Sequence, residues 1–183
     1  MNIFIDGGAH CGCSRKKFCE LYGNDYQIYS FEPDPSFNEF CPELINKALW
    51  NSDGSINFYK YRLSGASSLL KKRAELIIKE KPTSVDLVPT IDIHKWIVSN
   101  FSKNDYIILK LDVEGSEYSI LPHMLKNNTF EYIDKLFIEW HNHRVGIDKS
   151  TDINLTKQIK NQYNIDIELW DAMKSGHCIG QLR

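Results

Sequence analysis

Tyr106-Ile107-Ile108-Leu109-Lys110-Leu111-Asp112-Val113 is the most continuous apolar stretch of the chain, interrupted only by a lysine and an aspartate. It leads directly into Glu114-Gly115-Ser116-Glu117 and then a helical pattern from Tyr118 to Lys126. An apolar run that stops at polar turn residues and is followed by a helix predicts a strand of a parallel sheet, buried on both faces. Downstream, Leu136 to Trp140 predicts the next strand, followed by the polar loop His141-Asn142-His143-Arg144 and a helix from Asp152 to Gln162. Ile165 to Trp170 and Cys178 to Leu182 are expected to close the sheet as a hairpin. Upstream, Asn2 to Asp6 is a short apolar strand ending at an acid and two glycines. A helix from Ser14 to Tyr22 follows, with Ser14 as its cap. Gln27 to Glu32 is a strand halted by Pro33 and Pro35, and Ser36 to Asn46 is expected to be helical. Lys47 to Trp50, Ile56 to Tyr61 and Val85 to Ile91 predict further strands, and Asp92 to Ser99 a helix capped by Asp92. Strands alternating with helices define the α/β class: one Rossmann-like domain, residues 1–183, with a mostly parallel sheet of about seven strands and helices on both faces.

Composition agrees with that class. The 183 residues are 42% hydrophobic and 25% charged, the balance of an ordinary globular domain. With 22 basic and 24 acidic residues the net charge is −2, which gives no drive toward nucleic acid. No apolar run approaches the roughly 20 residues of a transmembrane helix. No leader pattern is visible, so the expected location is cytoplasmic. The five cysteines (Cys11, Cys13, Cys19, Cys41 and Cys178) are an odd set, which favours a reducing compartment over a disulfide scaffold. His10, Cys11 and Cys13 lack a second ligand pair at finger-like spacing, so zinc is disfavoured. Lys71, Lys72, Arg73, Lys79 and Lys81 outnumber Glu75 and Glu80, which reads first as a solvated helix. Segment 62–83, long and irregular, is a candidate lid over the acceptor.

Ligands of open parallel sheets bind beyond the carboxyl ends of the strands. Asp6, Gly8 and Gly12, then Glu32, Asp53, Asp112, Glu114 and Glu139 all fall at such ends or in the turns after them. The loop Gly7-Gly8-Ala9-His10-Cys11-Gly12 has no good G-x-G step, and Asp6 would crowd a pyrophosphate. Glu32, 26 residues after Asp6, ends the next strand, where an acid accepts from both hydroxyls of a ribose. A ribose-binding acid beside a glycine loop unsuited to phosphate points to S-adenosylmethionine. A nucleotide-cofactor oxidoreductase would need a phosphate loop and a redox relay, and neither is evident. A catalytically idle adenosyl-binding or interaction module stays open.

Phe4-Ile5-Asp6-Gly7-Gly8-Ala9-His10-Cys11-Gly12, Phe31-Glu32-Pro33, Asn46-Lys47-Ala48-Leu49, Gly65-Ala66-Ser67-Ser68-Leu69 and Thr90-Ile91-Asp92 occur in that order. They are followed by Leu109-Lys110-Leu111-Asp112-Val113-Glu114-Gly115-Ser116-Glu117 and Glu139-Trp140-His141. This series resembles the class I S-adenosylmethionine-dependent methyltransferases of the FkbM family, over roughly three quarters of the chain. The Lys110 to Gly115 region is its most specific marker. The resemblance implies a seven-stranded sheet and O-methylation, often of a sugar hydroxyl in a glycan or natural product. It implies that Asp6, Gly8 and the loop through His10 to Gly12 hold the methionine part of the cofactor, Glu32 the ribose, and Asp53 or its neighbours the adenine, with Asp112 also a cofactor-binding residue. His10 stands where the family usually has Asn. An N-terminal element that often covers the substrate is not recognisable, so the chain is either a compact protein or one domain of a longer polypeptide with further domains as partners.

Methylating a sugar hydroxyl requires that a weak acid lose its proton. Side chains alternate along a strand, so Lys110 and Asp112 share a face and Asp112 and Glu114 lie at its exit. His141 has a usable pKa for a base, and Lys110 would orient carboxylates or steady the incipient alkoxide. Metal-free catalysis is the favoured reading. The alternative is a Mg2+-like ion on Asp112, Glu114, Glu139 and His141.

Overall fold

In a computed structural model, which describes residues 1–62, 66–71 and 81–170, nine strands form two sheets among the described residues. The strands are β1 (Asn2–Gly7), β2 (Gln27–Phe31), β3 (Leu44–Ile45), β4 (Ala48–Trp50), β5 (Gly54–Lys60), β6 (Ser84–Asp92), β7 (Tyr106–Leu111), β8 (Lys135–Ile138) and β9 (Asp166–Leu169). The helices are α1 (Cys13–Tyr22), α2 (Ile93–Asn100), α3 (Glu117–Lys126), α4 (Asn142–Val145) and α5 (Ser150–Gln162). The main sheet has six strands in the order β3-β2-β1-β7-β8-β9, and every pairing in it is parallel. A smaller sheet, β4-β6-β5, pairs β6 with β4 in parallel and with β5 in antiparallel.

The central strands are apolar on both sides because both faces are covered. Ile3 and Ile5 of β1 and Ile107 and Leu109 of β7 pack in one core with Ile93 and Ile97 of α2, Ile120 and Leu121 of α3, and Leu155 and Ile159 of α5. Phe4 and Ile108, one residue out of phase, face the other way onto Phe18 of α1. The rings of Phe4 and Phe18 stack at 3.7 Å. Each such fully buried side chain contributes about 1.5–3 kcal/mol.

Three elements differ from the sequence reading. The stretch 36–46 is not a helix: a short 3-10 turn spans Pro35–Glu39, and Leu44–Ile45 then pairs with β2. Asp34 caps that turn by accepting from Ser36 N–H, and Pro42 lacks the donor that a longer helix needs. Ser14 is not the cap of α1. Gly12 holds that position, and Ser14 lies inside the helix with its hydroxyl donating to Asp6 at 2.6 Å. The loop 141–144 contains the one-turn helix α4. β9 extends the sheet in parallel beside β8, and the partner strand of the expected hairpin, at 178–182, lies outside the described residues. The main sheet thus has six described strands rather than seven, because β4, β5 and β6 assemble separately. Most of the basic stretch 71–81 and part of the candidate lid 62–83 also lie outside the described residues.

The chain runs β1-β2-β3 toward one edge and β7-β8-β9 toward the other. The switch in strand order falls between β1 and β7, the position beyond whose strand ends open parallel sheets bind their ligands.

Candidate active site

Asp6 of β1 and Lys110 of β7 are partners in register at that switch. Lys110 is 1% exposed, and its Nζ donates to the Gly8 carbonyl at 2.8 Å and lies 3.1 Å from Asp6 Oδ1 and 3.5 Å from Asp112 Oδ2. Burial alone would lower its pKa, but the carboxylates of Asp6 and Asp112 outweigh that and hold it above the ordinary lysine value. It is therefore a fixed cation that braces two strand ends and the glycine loop, and its ammonium is taken up by protein groups.

The loop itself is fastened to the end of β2. Gly8 and Ala9 N–H both donate to the Phe31 carbonyl at 3.0 Å, and His10 N–H donates to Glu32 Oε2 at 3.0 Å. Asp34 N–H donates to Glu32 Oε1 at 2.9 Å. The glycine at 8 answers a need inside the protein: a Cβ there would sit 1.9 Å from the Asp112 carbonyl oxygen. His10 adopts φ +50, a left-handed conformation that Asn and His tolerate better than most residues. Its ring packs against Phe37 at 3.9 Å.

Glu32 is 6% exposed, and burial pushes its pKa up to about 7 despite the two backbone donors. A carboxylate so placed is short of hydrogen-bond donors and would gain from two ribose hydroxyls. Its charge state also has a sign for stability. The folded protein holds a proton that the unfolded chain has released between its ordinary value and pH about 7, so stability falls as pH rises through that window. Asp53 is placed differently. It lies in the turn between β4 and β5, where its carboxylate accepts from Asp92 N–H at 3.0 Å and from Lys95 at 3.2 Å.

Beyond β7 the chain turns through Glu114, at φ +55, and Gly115, at φ +103. The turn brings Asp112 and Glu114 next to His141, which follows β8. His141 is 1% exposed, and its Nε2 lies 3.6 Å from Glu114 Oε2, 3.7 Å from Glu139 Oε1 and 3.8 Å from Asp112 Oδ1. Burial and the Asp112 charge raise the Glu139 pKa above the ordinary glutamate value. The four residues anticipated for an ion, Asp112, Glu114, Glu139 and His141, therefore converge in one cluster, with Lys110 beside Asp112.

Several members of the site were not anticipated. Glu117, the first residue of α3, accepts from Val113 N–H at 2.9 Å, Gly115 N–H at 2.8 Å and His141 Nδ1 at 2.9 Å, so it shapes the turn and orients the ring. Arg144 of α4 donates to Glu114 at 3.0 Å, and the Ser68 hydroxyl donates to the Glu114 carbonyl at 2.8 Å. The available signal for Glu117 was its place inside the most distinctive string of the sequence.

A doubly wound α/β domain with an acid-lined crevice at its switch point is the class that the fold and site define. The chain matches the methyltransferase FkbM domain over residues 6–164 and belongs to that family. A solved structure described as methyltransferase FkbM from Methylobacillus flagellatus KT is 14% identical, with a TM-score of 0.49; the match covers 84% of this chain. This chain spans only 37% of that one's length. No curated protein matches the chain significantly. Among the described residues, no helix is long and apolar enough to cross a membrane.

Proposed function

We propose that this methyltransferase uses S-adenosylmethionine to methylate a hydroxyl oxygen, most often of a sugar in a glycan or glycoconjugate. The observation that carries the reading is the convergence of Asp112, Glu114, Glu139 and His141 Nε2 on one pocket beside the loop that Glu32 and Lys110 fasten. Glu32 would take the ribose, and Asp6, Gly8, His10, Gly12 and Asp112 would surround the methionine part. The cofactor, when bound, supplies an electrophilic methyl group on a sulfonium. This chain's contribution is to hold the acceptor oxygen in line and draw off its proton. The proton acceptors crowding the pocket suit a weakly acidic hydroxyl, whose proton leaves into them as the oxygen reacts.

The test is transfer of a tritium-labelled methyl group from the cofactor to a panel of saccharides, with amines and peptides alongside. Labelled methyl ethers on a saccharide are expected. Glu114→Gln should lower turnover by about 100-fold or more while cofactor affinity stays within a few-fold. Label on amines alone would contradict oxygen as the target. Transfer to no acceptor would favour the idle adenosyl-binding module.

A further inference from the structure

We propose that Asp112, Glu114 and His141 form a binding site for a first-row divalent transition cation of the Mn2+ kind. The proposal rests on the methyltransferase reading of this pocket and adds an ion that the reading does not require.

The state of the His141 ring is the first ground. Both oxygens of Glu117 accept backbone N–H groups, from Val113 at 2.9 Å and Gly115 at 2.8 Å. In the 2.9 Å contact between Glu117 Oε1 and His141 Nδ1, the ring is therefore the donor. A neutral ring then carries its lone pair on Nε2. That atom is buried and has no hydrogen-bond partner among the described residues. It faces three carboxylate oxygens at 3.6–3.8 Å. These separations exceed hydrogen-bonding distance. They lie close to the roughly 3.0–3.6 Å between neighbouring ligands of an ion with bonds of about 2.0–2.2 Å. A cation placed among Nε2 and these oxygens would be attracted to every one of them.

Charge is the second ground. Lys110 is shared between Asp6 and Asp112, and Arg144 is engaged with Glu114. Counting Glu117 and Glu139, five carboxylates face two fixed cations, an excess of negative charge that a dication offsets in part. Asp112, Glu114 and His141 each offer one ligand atom, all within 4.8 Å of one another.

The donor set selects the ion. An imidazole nitrogen with carboxylate oxygens suits Mn2+ and its transition-metal neighbours better than the all-oxygen preference of Mg2+ or Ca2+. The Glu117–His141 bond fixes tautomer and ring direction as a carboxylate behind a metal-bound histidine does. An ion here would lower the pKa of a coordinated hydroxyl. Glu139, at the rim and 3.7 Å from Nε2, is then the carboxylate left to receive the proton.

The experiment titrates Mn2+ into the full chain and follows free Mn2+ by electron paramagnetic resonance, with calorimetry of S-adenosylhomocysteine in parallel. One ion per chain is expected at a micromolar dissociation constant, weakened about tenfold or more in Asp112→Asn and Glu114→Gln. Circular dichroism establishes that both variants fold. Wild-type protein that binds no Mn2+ at about 1 mM overturns the proposal. So does binding that both variants leave unchanged. Homocysteine-analogue binding that persists when Mn2+ binding is absent would leave the methyltransferase reading standing; its loss with Mn2+ binding intact would sink that reading alone.

Discussion

Lys110→Met should cost about 3–5 kcal/mol of folding stability, the penalty for breaking a buried ion pair from one side. Methionine matches the length of the lysine stem, so little packing is lost. What changes is the electrostatics. Asp6 is fully buried and its Oδ1 lies 3.1 Å from the ammonium, with the Ser14 hydroxyl on its other oxygen. Without the cation, Asp6 is left with that single hydroxyl bond, and the Gly8 carbonyl loses its 2.8 Å donor. Both effects fall at the end of β1, where the proposed cofactor would sit. Urea denaturation measures the cost. A loss below about 1 kcal/mol would mean that Asp6 is not held as an ion pair.

Gly8→Ala is the second severe substitution, expected to cost about 2–6 kcal/mol through backbone strain and overpacking together. Gly23 provides an internal control. The two glycines have nearly the same φ, +79 and +82. At Gly23 a Cβ would meet nothing within 4 Å, whereas at Gly8 it would stand 1.9 Å from the Asp112 carbonyl oxygen. Gly23→Ala should therefore show only backbone strain, about 1–3 kcal/mol for its φ +82, ψ −169 conformation. The difference in denaturation midpoint between the two variants reports the backbone contact between the loop and the end of β7. Equal losses would contradict that contact.

The parts of this molecule that were legible in the sequence are those written in local patterns. Tyr106 to Leu111 shows as a strand because both its faces are buried, and Asp92 shows as a cap because its carboxylate accepts from His94 and Lys95 N–H. Asp6, Glu32, Lys110, Asp112, Glu114 and His141 were legible because parallel strands deliver their carboxyl ends to one edge. Partners distant in sequence left no local trace. The antiparallel pairing of Gly54–Lys60 with Ser84–Asp92 spans an irregular segment, so the second sheet was not separable from the first. Glu117 reads as an ordinary acid in the first turn of a helix, and only the fold puts His141 against it. Ser14 reads as a cap because serine favours caps, but the buried Asp6 carboxylate claimed its hydroxyl. The left-handed backbone at His10 and Glu114 is set by the turns that carry them, which residue type alone does not specify.

The central claim, an adenosyl crevice closed by Glu32, is tested most directly by calorimetric titration with S-adenosylhomocysteine, with NAD as the control. Micromolar binding of the first and none of the second is the predicted result. Because the Glu32 pKa is pushed up to about 7, and the ribose hydroxyls donate to the ionised form, binding should weaken about tenfold between about pH 8 and pH 6. Glu32→Gln should bind more weakly and lose that pH dependence. Binding of NAD alone, or homocysteine-analogue binding indifferent to Glu32 and to pH, would contradict the account.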